Sequence, residues 1–267
     1  MIRLAIHGLD LPRPDAAATG AAMLCQNLNL QISAGEAWLI LGQNGCGKST
    51  LLATLAGWPT PPKHSQIILN GKPFADWPKR ARAQQLAWLT QQDDCPFPMT
   101  VLEKVLSGCH ARLGPFAWES AADQAEALDW LAQLDLASFA QRDLATLSGG
   151  ERRRVALATT LMQHGSVLLL DEPLSQLDIH HQQQTLAVLQ QQRQHNHSLL
   201  MVSHDPNHAR HWATHALLMF GDSRYLAGPI DQILTVEHLS ELYQHPMHCI
   251  QDADGSIFFP KYTDQYI

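Results

Sequence analysis

The densest chemistry in the chain lies in eight consecutive residues, Gly42-Gln43-Asn44-Gly45-Cys46-Gly47-Lys48-Ser49, which match the spacing GxxxxGK[ST] in full. Glycines at these positions let backbone N–H groups converge on phosphate oxygens, and a helix opening at the end of the loop adds the positive end of its dipole. Lys48 is then placed to reach the β- and γ-phosphates of a nucleotide, and Ser49 to offer a hydroxyl to Mg2+. Cys46 falls inside this loop, beside Lys48. Those charges favour a thiolate and predict that Cys46 is unusually reactive among the five cysteines; the alternative is a small spacer that the loop shields.

Two further stretches carry chemistry. The apolar run Val167-Leu168-Leu169-Leu170 ends in Asp171-Glu172-Pro173. A carboxylate at the tip of a buried strand beside a phosphate loop holds Mg2+, and its neighbour polarises an attacking water, which assigns Asp171 to the metal and Glu172 to general base. Taken alone, the same run also describes a strand followed by an ordinary turn. Leu147-Ser148-Gly149-Gly150-Glu151 opens a helix through Val155 and Leu161. It reads either as a second anion-binding helix end or as a serine N-cap, since Ser148 and Glu151 have the capping-box spacing. His208, His211 and His215 have a spacing that would share one face of a helix starting at Asp205-Pro206, a spacing able to bind a transition metal. No acidic or cysteine partner lies beside them on that helix, which argues against the metal.

Elements must position these groups. A strand is expected over Leu4 to Leu11, a loop over Pro12 to Ala22, and alternation through Leu28, Leu30 and Ile32 ends at Ser33-Ala34-Gly35, suggesting antiparallel β structure at an edge. Ala37 to Leu41 reads as a buried strand feeding the glycine loop and a helix from Ser49 to Ala56. From about Asp93 to Ala145 the apolar residues switch to helical periods, an inserted helical subdomain. Strands at Val167 to Leu170 and Leu199 to Ser203 then alternate with helices at Glu151 to Gln163 and Ile179 to Gln194, the βαβ rhythm of a parallel sheet. A helix from Pro229 to Tyr243 and two strands around Ala253-Asp254-Gly255 close the chain. No internal repeat is visible, so one nucleotide-binding unit is expected.

Composition narrows the classes. At 267 residues with 45% hydrophobic and 16% charged residues, the chain is long enough for a large buried core and is neither disordered nor a coiled coil. A formal net charge of −7 argues against a nucleic-acid partner. No run reaches the length of a membrane-spanning helix, the first residues are too short for a signal-peptide core, and scattered cysteines suggest neither disulfides nor zinc. The cytoplasm is the expected compartment.

The phosphate loop, Leu-Ser-Gly-Gly-Glu, Asp-Glu-Pro and a histidine after the next strand, in this order and spacing, resemble the ATP-binding subunit of ABC transporters over about residues 4 to 260. The resemblance implies a single ABC ATPase domain over 1–267, with a P-loop NTPase core of parallel sheet, an antiparallel β edge, a helical subdomain about 93–145 and a C-terminal helix and strand pair about 229–262. It implies ATP and Mg2+ as cofactors, with Gly42 to Ser49 and Thr50 as the phosphate site. Gln91 resembles the Q-loop glutamine that links Mg2+ and water to the membrane partner. Ser175-Gln176-Leu177-Asp178 is similar to the D-loop, with Gln176 where alanine is usual, and His204 resembles the switch histidine on the γ-phosphate. Ser148, Gly149, Gly150 and Asp178 are implied in binding nucleotide across a dimer of two copies. The usual adenine-stacking tyrosine is replaced at Pro12-Arg13, where the Arg13 guanidinium could stack on the base or simply be solvated.

The segment Arg80 to Gln91 and the C-terminal tail look like importers for siderophores, haem and cobalamin. The implied partners are transmembrane permease subunits, at the cytoplasmic face of the membrane, and indirectly an extracytoplasmic substrate-binding protein. Phe97, Met99 and Val101 are the expected permease-facing surface. Other metal or oxyanion importers and soluble non-transport ABC ATPases share parts of the pattern.

Overall fold

The computed structural model describes residues 1–13, 23–58, 61–62, 65–91, 97–114, 116–210, 212–252 and 255–261. In chain order its elements are β1 (Ile2–Leu11), β2 (Cys25–Ser33), β3 (Ala37–Gly42), α1 (Lys48–Ala56), β4 (Gln66–Leu69), β5 (Lys72–Pro73), α2 (Lys79–Ala83), β6 (Leu86–Leu89), α3 (Val101–Leu106) and α4 (Ala121–Gln133). They continue with α5 (Gly149–Leu161), β7 (Val167–Asp171), α6 (Ile179–Gln194), β8 (Ser198–Val202), β9 (His215–Met219), β10 (Tyr225–Pro229), α7 (Ile230–Ile233), α8 (Val236–Tyr243), β11 (Met247–Asp252) and β12 (Gly255–Pro260).

A six-stranded sheet runs in the order β10-β9-β3-β8-β7-β6, parallel except for β10. Its central strands are apolar at nearly every position because both faces are covered. Successive side chains alternate: Leu39 and Leu41 of β3 join Leu168, Leu170 and Met201 against α5 and the helical segment. Trp38 and Ile40 join Leu169, Leu200 and Val202 against α1 and the antiparallel sheet β2-β1-β4-β5. Each face therefore has its own core, and the carboxyl ends of β3, β7 and β8 emerge between them, where ligands bind in open α/β sheets.

Three helix starts carry reciprocal capping boxes: Thr100 with Glu103, Ser120 with Asp123, and Ser148 with Glu151. Helices α3 and α4 form the expected helical segment; residues 93–96 of that expectation lie outside the described residues, as do 14–22 of the expected loop, the turn residues 253–254 and His211.

Two expectations fail. The helix placed at Pro229 to Tyr243 is broken: Pro229 ends strand β10, paired with His215, and a second helix restarts after Thr235, whose side chain accepts from the His238 N–H. The chain after Asp205-Pro206 makes only a short 3₁₀ turn, Pro206–Ala209, before Arg210 turns extended. It must run on to β9 alongside β3, so His208 and His215 share no helix. His208 Nδ1 lies 2.7 Å from Ser203 Oγ, and His215 stacks on Trp38 at 4.6 Å between ring centroids. The metal-binding helix is thereby excluded.

Candidate nucleotide-binding and hydrolysis site

The loop from β3 to α1 wraps a cleft of about 560 Å3 lined by Asn44, Gly45, Gly47, Lys48, Ser49 and Thr50 from the loop and helix start, with Gln91, Glu172 and His204 opposite. Arg13 and Leu24, on either side of the β1–β2 connection, also line it. Two glycines are demanded by geometry: Gly47 caps α1 at φ 104°, and a Cβ on Gly42 would fall 2.5 Å from both Cys46 Sγ and the Met219 carbonyl oxygen. Lys48 is 5% exposed, and its ammonium donates to the carbonyl oxygens of Gly42 (2.7 Å) and Gln43 (3.1 Å). The Gln43 side chain points away from the cleft and donates to the Leu242 carbonyl at 2.9 Å.

Asp171 ends β7 and is buried. Burial pushes its carboxyl pKa up, while the Ser49 hydroxyl and the charges of Arg153 and Lys48 pull it back. Its Oδ1 has no hydrogen-bond partner among the described residues. An orphaned carboxylate oxygen beside a serine hydroxyl, with the Gln91 amide in the same cleft, is an oxygen donor set that suits Mg2+. Glu172 follows with φ +52°, an uncommon value for a residue with a side chain, held by its N–H on the Val202 carbonyl at 3.2 Å. That bend brings its Oε1 to 2.6 Å from His204 Nε2.

Ser148, Gly149, Gly150 and Asp178 do not line this cleft in the same chain. Ser148 is the N-cap of α5, as the capping reading required, and a Cβ on Gly149 would overlap the Gln176 side chain, so the start of α5 packs against Gln176 of the same chain. Asp178 caps α6, and its pKa is lowered by the His181 N–H and ring.

Two further expectations are corrected. Cys46 is 3% exposed, and burial raises its thiol pKa more than Lys48 lowers it; the sulfur fills the space above Gly42, so the thiolate is not favoured. Val101 is fully buried in the core beneath α5 and presents no surface, whereas Phe97 is 72% exposed.

Arg153 was not singled out by sequence reasoning. Buried in α5, it donates from Nη1 to the Thr90 carbonyl (2.6 Å), from Nε to the Glu172 carbonyl (3.2 Å) and from Nη2 to the Asp171 carbonyl. The one signal in the sequence is the run Arg152-Arg153-Arg154, three charges on consecutive helical positions that cannot all face solvent.

Parallel sheet, glycine loop on the helix end and the paired carboxylates at the tip of β7 define a P-loop nucleotide hydrolase. A family model described as ABC transporter matches residues 25–175, and the chain belongs to the ABC transporter family as an ATP-binding, Mg-dependent ATPase subunit. It is 34% identical over 230 residues to the hemin import ATP-binding protein HmuV of Streptomyces coelicolor, covering 85% of this chain and 80% of that one. It is 36% identical to the achromobactin transport ATP-binding protein CbrD of Dickeya dadantii, covering 79% and 78%. Among solved structures it resembles a chain of an ABC transporter in an inward-facing conformation, with TM-score 0.82, 29% identity and 98% of each chain covered. No helix of the described residues is long and apolar enough to cross a membrane.

Proposed function

We propose that this subunit powers import of an iron chelate, haem or a siderophore, from the cytoplasmic face of the membrane, bound to permease subunits that receive cargo from an extracytoplasmic binding protein. The names of the relatives at 34% and 36% identity and the segment Arg80 to Gln91 support the cargo class. The whole chain 1–267 acts as one ATPase domain.

One observation carries the mechanism: Lys48, Ser49, Gln91, Glu172 and His204 converge on one cleft, while Ser148, Gly149, Gly150 and Asp178 do not line it. The N–H groups of Gly45 to Thr50 and the Lys48 ammonium bind the phosphates of ATP. Ser49, Asp171 and Gln91 would hold Mg2+, which would supply positive charge against the phosphates. Glu172 accepts a proton from the attacking water, and His204, already 2.6 Å from it, holds that carboxylate and faces the γ-phosphate. Arg13, whose Nη2 is pinned to the Gly221 carbonyl at 3.2 Å, presents its guanidinium plane to the base. Ser148, Gly149, Gly150 and Asp178 complete the site of a second copy, so two chains sandwich two ATP molecules. The permease docks near Gln91 and the exposed Phe97.

Glu172→Gln tests this reading. Hydrolysis is expected to fall about 10²- to 10⁴-fold with ATP binding retained, and light scattering with Mg-ATP is expected to find a dimer. A variant that stays monomeric under saturating Mg-ATP would refute the sandwich. Co-purification of the intact chain with a polytopic membrane protein tests the transport role.

A further inference from the structure

The loop carrying His204 is held from outside the cleft by the C-terminal elements. Tyr243, the last residue of α8, donates its hydroxyl to the backbone oxygen of His204 at 3.1 Å. One residue earlier, the Leu242 carbonyl accepts the Gln43 side chain at 2.9 Å. The end of a single helix thus touches both the phosphate loop and the switch loop. That helix is anchored, because Leu239 and Leu242 are buried in the core and Thr235 caps its start.

The far side of the switch loop is gripped as well. Asn207 pairs with both backbone groups of Phe258 in β12, Nδ2 donating to the carbonyl at 2.9 Å and Oδ1 accepting from the N–H at 2.8 Å. Arg210 pairs with Asp252 of β11. Burial and the nearby Asp205 carboxylate push the Tyr243 pKa up, so the phenol keeps its proton and remains a donor. Nothing in the P-loop chemistry itself requires these contacts, yet they fix the backbone on which His204 turns toward Glu172.

We infer that Tyr243 is a positioning residue for His204, and that the C-terminal helix and hairpin set the rate of hydrolysis through that histidine. The inference rests on the role given to His204 above. A tyrosine that served packing alone would move stability and nucleotide affinity; one that aims the histidine moves turnover.

The test compares the full chain with Tyr243→Phe, His204→Ala and the double variant, measuring Mg-ATP hydrolysis, binding of a fluorescent ATP analogue and thermal unfolding. Losing one hydrogen bond is expected to lower kcat about 3- to 10-fold in Tyr243→Phe, with analogue affinity held and the melting temperature lowered by no more than about 5 °C. In the His204→Ala background the same change is expected to add nothing, since both act through one side chain. Asn207→Ala, which frees the loop from β12, is expected to show the same split between kcat and affinity. A slow His204→Ala beside an unimpaired Tyr243→Phe overturns the inference alone, as does a further equal loss in the double variant. A His204→Ala chain that turns over like wild type overturns the role of His204 and this inference with it.

Discussion

Arg153 Nη1 donates to the Thr90 carbonyl at 2.6 Å, joining α5 to the residue before Gln91. The same guanidinium also holds the carbonyls of Asp171 and Glu172. One buried fork therefore ties together the residue before Gln91, the end of β7 and helix α5.

Replacing Arg153 with leucine leaves several buried carbonyls without a donor. The expected cost is on the order of 3 kcal/mol, read as a drop of roughly 10 °C in melting temperature. Arg153→Lys is expected to recover only part, because a single ammonium cannot span the carbonyls that the planar fork reaches. A melting temperature unchanged in Arg153→Leu would show that the fork is dispensable.

Asp171 shows the conflict between stability and function. Its pKa is raised because burial disfavours the charge, so the folded chain binds a proton more readily than the unfolded one. The sign of the linkage follows: its contribution is favourable at low pH and is lost as pH rises through the raised pKa. Asp171→Asn is expected to raise the melting temperature of the nucleotide-free chain at neutral pH and to abolish Mg-dependent hydrolysis. A variant destabilised at neutral pH would contradict the assignment of burial as the main cause.

The capping carboxylate of α5 works in the opposite direction. The Ser148 N–H and hydroxyl hold the Glu151 pKa below its ordinary value. The unfolded chain then binds more protons between the two values, and the cap's contribution, present above the ordinary pKa, is lost as pH falls through the lowered one. Scanning the melting temperature from about pH 5 down to about pH 3 is expected to show a smaller acid decline in Glu151→Gln than in wild type.

Thiol labelling separates the cysteines. Cys25, Cys46 and Cys109 are buried, and burial raises the thiol pKa of Cys25 to about 12 and of Cys109 to about 11. Among the described cysteines only Cys249 is partly exposed. Maleimide under native conditions is expected to modify Cys249 before any of these three, with hydrolysis retained. Mass spectrometry finding Cys46 labelled first would reinstate the reactive thiolate.

The sequence by itself determined the groups whose spacing along the chain is the chemistry: Gly42 to Ser49, Asp171-Glu172 and Ser148 to Glu151 each act within one turn or one loop. Their elements were legible for the same reason, since β3, β7 and α5 are short runs whose apolar pattern and caps are local. The helix expected at Pro229 to Tyr243 is interrupted where Leu234 leaves helical backbone and Thr235 caps a new start, and the helix expected after Asp205 failed because the chain must reach β9 beside β3, a strand partner remote in sequence. Reactivity at Cys46 depended on what lay above Gly42, and Val101 on what lay beneath α5, neither of which a local pattern reports. The reach of Arg153 to Thr90 and of Tyr243 to His204 spans 63 and 39 residues of chain. Only the folded sheet, by bringing the carboxyl ends of its strands to one edge, gives those side chains anything to hold.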